Sequence, residues 1–196
     1  MTVLGISGSP RRHGNTEVLL DKVLEGAKSR SASVGKIVLN ELDFKGCQDC
    51  GGCSEEGVCI LTDDMREVYK RIEKADCIVI ASPVFFGTIS AQLKSMIDRF
   101  QPAWIKKNIF HEMGSDKKQK GVFLCVSGAD NKEFFDNSRR SIKMFFNTIG
   151  AKYAADIYCG GVEGKNAIRN KKRVLDKAFE LGEKIVTKNR KHTKDG

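Results

Sequence analysis

Nowhere in the 196 residues does an apolar run approach the ~20 residues that a membrane-spanning helix needs. The N-terminus lacks the basic start, apolar core and cleavage site of a secretory leader. A cytoplasmic protein with no membrane partner is the expectation. Two phosphate motifs are absent as well. There is no G-x-x-x-x-G-K-[ST], so no lysine is placed for a nucleoside triphosphate, and no G-x-G-x-x-G for the close approach of a dinucleotide pyrophosphate. Ser7 is not in a nucleophile elbow, because Gly5-Ile6-Ser7-Gly8-Ser9 lacks the second glycine of G-x-S-x-G. No internal repeat or domain boundary is visible, so residues 1–196 read as one domain. A chain of this size buries about 70% of its unfolded surface and needs no disulfide staple. No His, Glu or Tyr is singled out as catalytic by its setting; His13 reads as a solvent-facing loop residue.

What the chain has is positive charge and cysteine. The net charge is +9, yet the basic residues are spread over most helices, with a concentration from Lys184 to Lys194. They are not interleaved with aromatics, and no RNA-binding signature is present, so nucleic acid is not an expected partner. A solvated basic face is the plain reading. The functional one is a surface that speeds encounter with an acidic protein. Seven cysteines in a cytosolic chain argue for metal or redox chemistry over structural disulfides.

The organising stretch is VLGISGSPRRHGNT, residues 3–16. Val3, Leu4 and Ile6 read as a buried strand that breaks at Gly8, Ser9 and Pro10, and a helical pattern starts at Gly14. Such a turn leaves backbone N–H groups at the positive end of a helix dipole, which is an anion site. The dipole contributes only about 0.3–1 kcal/mol. Ser7, Ser9, Asn15 and Thr16 would therefore supply most of the grip, with Arg11 or Arg12 adding charge. The ligand that fits is a terminal monophosphate; an ordinary tight turn is the alternative.

Apolar segments then alternate with helical ones. Strands are expected at 36–39, 77–81, 122–126 and 153–158. Helices are expected to about residue 31, after Thr62 or Asp63, around Ile89 to Phe100, around Ile142 to Ile149, and over 167–188. Residues 101–120 read as a surface excursion. Five strands alternating with helices imply an α/β doubly wound parallel sheet, and the length fits the flavodoxin-like order 2-1-3-4-5. Ligands then bind where the strand order reverses, between the first and third strands. The loops there are the first one, Ser82-Pro83-Val84-Phe85-Phe86-Gly87, and Ser127-Gly128-Ala129. Phe85 and Phe86 can lie against a flat ring while amides from Val84 to Gly87 meet its polar edge; simple packing is the alternative.

SGSPRRHGNT resembles the phosphate loop of the flavodoxin-like FMN reductase superfamily, S-G-S-x-R-x-x-G-N-[ST]. SPVFFGTISAQLKSMIDR resembles that superfamily's S-P-x-[YF]-x-G-x-x-[ST]-A-x-[LM]-K-x-x-[IF]-D-R block. The resemblance implies FMN held by Ser7, Ser9, Pro10, Arg11, Asn15 and Thr16, by Pro83 to Gly87, and by Ser127 and Gly128.

Between the second strand and the next helix, residues 43–62 show no periodicity and carry Cys47, Cys50, Cys53 and Cys59 as C-x2-C-x2-C-x5-C. Two-residue gaps let a short chain wrap three corners of a cubane, and a longer arc reaches the fourth. One [4Fe–4S] cluster is the simplest occupant. A zinc site, a Cys50–Cys53 dithiol and a loop without any metal are the alternatives. Cys77, Cys125 and Cys159 lie in or beside strands and read as small buried apolar residues. The spacing resembles that of the iron–sulfur flavoprotein family, which implies a homo-oligomer, a homodimer or homotetramer, with one chain's cluster near another's flavin. The reading that follows is an FMN-dependent oxidoreductase. It takes electrons from a one-electron carrier such as ferredoxin and gives them to a small-molecule acceptor of the quinone, oxygen or peroxide class. An NAD(P)H-dependent FMN or quinone reductase without a cluster, and a non-enzymatic flavodoxin-like carrier, are the competing readings.

Overall fold

The protein is described from a computed structural model, which places residues 1–112 and 118–186. Residues 187 and 188 of the last expected helix, most of the basic tail and part of the 101–120 segment lie outside the described residues.

The first strand, β1 (Thr2–Ser7), is followed by α1 (Asn15–Ser29) and β2 (Ser33–Val38). A single 3₁₀ turn then leads into residues 42–64, which contain neither helix nor strand. Next come α2 (Met65–Lys74) and β3 (Cys77–Phe85), with the two-residue β4 (Thr88–Ile89) folding back on β3. The chain continues through α3 (Ala91–Asp98), α4 (Gln101–Asn108), β5 (Lys120–Val126) and α5 (Lys132–Thr148). It ends with β6 (Lys152–Cys159), a 3₁₀ turn at Ala167–Asn170 and α6 (Lys172–Val186).

The sheet order is β2-β1-β3-β5-β6, all parallel, with β4 paired antiparallel to β3. With β4 set aside, that is the expected 2-1-3-4-5 order. Alternation along each strand sends side chains to two cores. Leu4, Ile6, Ile78, Ile80 and Phe123 pack with Val68, Ile72, Leu93, Met96, Ile142 and Phe146 of α2, α3 and α5. Val3, Val79, Val122 and Leu124 pack with Leu19, Leu20, Val23 and Ala178 of α1 and α6.

Four expectations change; in one, the last helix starts at Lys172 rather than 167, because residues 167–170 close a separate 3₁₀ turn. The second strand starts at Ser33, not Lys36, because parallel pairing with Thr2–Ser7 recruits the half-buried Val34 and Gly35, which carry no apolar run of their own. The third strand runs four residues past Ala81, since pairing with β5 and the β4 hairpin satisfies its backbone. Residues 101–108 form α4, opened by Pro102 in its first turn, where a missing N–H costs nothing. Its weak apolar periodicity hid it.

Candidate functional site

The loop after β1 is built from its own polar atoms. The Ser9 hydroxyl accepts from the Arg11 N–H at 3.1 Å and donates to the Arg11 carbonyl at 3.2 Å. Gly8 donates its N–H to the Ala81 carbonyl at 2.8 Å, tying the loop to β3. A Cβ on Gly8 would stand 2.8 Å from that of Leu93, so only glycine lets α3 approach this closely. The amides of Gly8, Arg11 and His13 are therefore spent inside the protein rather than all offered to a ligand. Ser7 is different. Its side chain is fully buried and its Oγ has no hydrogen-bond partner. A buried hydroxyl left in that state costs about 1–3 kcal/mol, so its position calls for a group that the chain itself does not provide. Ser9 and Thr16 are also buried nearby in sequence, while Arg11 and His13 are exposed.

Asn15 behaves unlike the hydroxyls beside it. Its amide donates to the Gly164 carbonyl at 2.8 Å and accepts from the Ile168 N–H at 3.2 Å. That side chain pins the segment after β6 against the start of α1. Arg12 is likewise committed, pairing with Glu17 at 2.8 Å and Glu41 at 2.7 Å.

Glu17 was not among the expected site residues. Its carboxylate is 1% exposed and accepts from the His13 N–H at 2.6 Å, from Arg12 at 2.8 Å and from Lys36 at 2.8 Å. Burial pushes its pKa up, but the Lys36 and His13 hydrogen bonds and the two cations outweigh that and hold it below the usual carboxylate range. The signal was present in sequence. Glu17 is the third helical residue after Gly14, where a glutamate reaches back to the amides that precede the helix.

The second loop forms a tight hairpin. Phe86 has φ of 49° and Gly87 φ of 76°, positive at both central positions, as a two-residue turn between Phe85 and Thr88 requires. A phenylalanine in that region is strained, and this one is fully exposed. Phe85 is half-exposed; Pro83 and Val84 are partly covered. The tip therefore presents an exposed aromatic ring on a strained backbone. In the third loop, Ser127 is buried and its backbone N–H and C=O join Cys159 and Val162, at 2.9 and 3.0 Å. Tyr158 fixes the residues after Gly128, its hydroxyl accepting from the Asn131 N–H at 3.0 Å and donating to the Ala129 carbonyl at 3.1 Å.

Helix α3 starts at the first loop and leads to the cysteines. At its beginning, Ser90 donates its hydroxyl to the Gly8 carbonyl. Beyond its last turn, Arg99 is 1% exposed and grips the cysteine segment from both flanks. It donates to the Lys45 carbonyl at 2.8 Å, to both Asp63 carboxylate oxygens at 2.5 and 3.1 Å, and to Cys59 Sγ at 3.5 Å. Burial disfavours the guanidinium charge, yet its bonds to Asp63 and Cys59 prevail and keep it more firmly protonated than usual. Cys47, Cys50, Cys53 and Cys59 line one cavity of about 90 Å³ together with Arg99, Pro102 and Ile105. Burial, followed by the neighbouring Cys59, Cys47 and Cys50, pushes the Cys53 thiol above its ordinary value. Among the described residues, no three potential ligands stand close enough to share one metal ion. The donor set suits a thiolate-bound centre in kind and number, with four cysteines around one cavity.

Because it follows β2, the cysteine segment is expected at the same sheet edge as the other loops; instead Lys45 and Asp63 are held by Arg99, beyond the far end of α3. Ser90 and Arg99 flank the eight residues of α3, roughly 13 Å apart along the helix, so the cavity and the first loop sit at opposite ends of it. The remaining cysteines are inert by position. Cys77 and Cys125 are fully buried, with thiols pushed up to about 12, and Cys159 is raised as well.

Residues 1–130 match the family described as NADPH-dependent FMN reductase. An iron–sulfur flavoprotein of Methanocaldococcus jannaschii is 40% identical over 114 residues, 58% of this chain and 59% of that protein. The match thus spans less than two thirds of that relative. A second iron–sulfur flavoprotein of the same organism is 39% identical over 199 aligned positions, covering 92% of this chain and 96% of the relative. In three dimensions, an NAD(P)H:quinone oxidoreductase from Methanothermobacter marburgensis superposes with a TM-score of 0.76 at 21% identity, over 96% of this chain and 98% of that one, a likeness of fold. With more than half its length matched and a relative this similar along nearly all of it, the chain belongs to the NADPH-dependent FMN reductase family, with iron–sulfur flavoproteins among its relatives.

Proposed function

We propose that the chain is one FMN-binding domain, residues 1–196, acting as an FMN-dependent oxidoreductase whose cysteine segment, 43–62, carries a [4Fe–4S] cluster. Electrons arrive singly from an acidic carrier such as ferredoxin and leave to an acceptor of the quinone, oxygen or peroxide class. FMN supplies the exchange between one- and two-electron chemistry, and the cluster supplies one-electron transfer. The chain's own residues bind and orient. Ser7, Ser9 and Thr16 face the phosphate, with Pro10, Arg11 and Asn15 shaping or charging the same loop. Pro83, Val84, Phe85, Phe86 and Gly87 hold the ring, and Ser127 and Gly128 bound its other side. Cys47, Cys50, Cys53 and Cys59 are the cluster ligands.

The observation that carries this reading is the gathering of all four spaced cysteines around one cavity, with the buried Arg99 donating to one of their sulfurs. A reductase with no use for the segment has no reason to bury a cation there. The length of α3 between the two sites favours transfer to a flavin in a second copy of the chain, as a homodimer or homotetramer would allow. The family match over residues 1–130 favours the competing reading, an NAD(P)H-dependent FMN reductase without a cluster. Cys50→Ala decides between them. The cluster reading expects its broad visible absorbance to vanish while FMN stays bound. Identical spectra for the parent and the variant would support the clusterless enzyme.

A further inference from the structure

We propose that Arg99 is a positioning residue that raises the reduction potential of the thiolate-bound centre, and that Asp63 opposes it. The inference rests on the cluster reading and concerns what tunes that centre. Arg99 is almost wholly buried, and its fork is divided among three tasks: the Lys45 carbonyl before the first cysteine, the Asp63 carboxylate after the last, and Cys59 Sγ itself. Its Nε is buried without a partner. A guanidinium serving only to end α3 would need none of this. Tyr69 already occupies the Arg99 carbonyl at 2.6 Å, and the Arg99 N–H already bonds α3.

The physics fixes the sign. Reducing the centre adds one negative charge beside Arg99, supplied by one electron from a reduced viologen that returns to its dication; no bond forms or breaks. A nearby cation and a hydrogen bond to sulfur stabilise the more negative state and raise the potential. A nearby carboxylate does the reverse. Arg99 and Asp63 are mutually paired, so scaffolding and charge predict different patterns. As scaffold, loss of either partner loosens the same segment. As charge, the two losses move the potential in opposite directions.

The test is a mediated redox titration of the anaerobically purified, full-length protein, with dithionite as reductant and viologen mediators. Arg99→Gln is expected to shift the cluster midpoint to more negative potential and Asp63→Asn to more positive, with Arg99→Lys between Arg99→Gln and the parent. Asp63→Asn retains Oδ1, which accepts from the Met65 N–H at 3.1 Å, and so remains decisive if Arg99→Gln cannot hold iron. Shifts of the same sign in Arg99→Gln and Asp63→Asn, or an unmoved midpoint in a loaded Asp63→Asn, overturn the inference. A parent that contains neither iron nor sulfide overturns the cluster reading beneath it.

Discussion

The Ser90 hydroxyl donates to the Gly8 carbonyl at 2.5 Å and, through the same oxygen, accepts from the Leu93 N–H at 3.3 Å. One buried atom thus caps α3 and fastens the first loop to it. Ser90→Ala removes both bonds. It is expected to lower unfolding stability by about 1–2 kcal/mol, and to weaken FMN more than riboflavin. Denaturant melts and flavin titrations check this; unchanged stability would mean the cap and the tether are both dispensable.

Ser7 should behave in the opposite way. Its hydroxyl is buried and unpaired without a ligand, so Ser7→Ala is expected to leave apoprotein stability unchanged or raised. FMN affinity should still fall by about tenfold or more, the loss of one charge-assisted hydrogen bond. Riboflavin, with no phosphate, should bind Ser7→Ala and the parent equally. A variant that loses both ligands alike would place Ser7 away from the phosphate.

Glu17 gives the first loop a pH dependence. Its pKa is depressed from 4.5 in the folded chain, so its contribution is complete above about that pH and is lost as pH falls through the lower folded value. Stability and FMN retention should therefore decline together below pH 4.5. Glu17→Gln still accepts from the His13 N–H but no longer titrates, and it should flatten that decline while lowering stability at neutral pH. An acid limb identical in the variant would assign the effect to another carboxylate.

Thiol reactivity separates the two cysteine classes. In metal-free native protein, Cys47 and Cys50 are exposed and Cys53 and Cys59 partly so, while Cys77, Cys125 and Cys159 are buried. A disulfide reagent should titrate four thiols quickly and the other three only after unfolding. Fast reaction of five or more would contradict the packing of β3, β5 and β6.

Most of the architecture was legible because the parallel strands are buried on both faces and read as unbroken apolar runs, such as Cys77 to Ala81 and Val122 to Val126. What escaped was whatever depends on contact between distant segments. The close approach of α1 and α6 is one case. A Cβ on Gly26 would stand 2.0 Å from the Phe179 carbonyl oxygen, and one on Gly182 2.0 Å from that of Val23, a reciprocal contact that two isolated glycines do not announce. Asn15 is another, since its partners Gly164 and Ile168 lie 149 and 153 positions away. The cysteine spacing was plain, yet its course along α3 was not, because it depends on Arg99 reaching back to Lys45 and Asp63.

Two redox groups sharing one chain fix its metal and flavin content. The most direct measurement is the amount of iron, acid-labile sulfide, zinc and FMN per chain after anaerobic purification. About four iron and four sulfide with one FMN, and no zinc, are expected, the composition of one cubane and one flavin. One FMN with no sulfide, or zinc in place of iron, would contradict it.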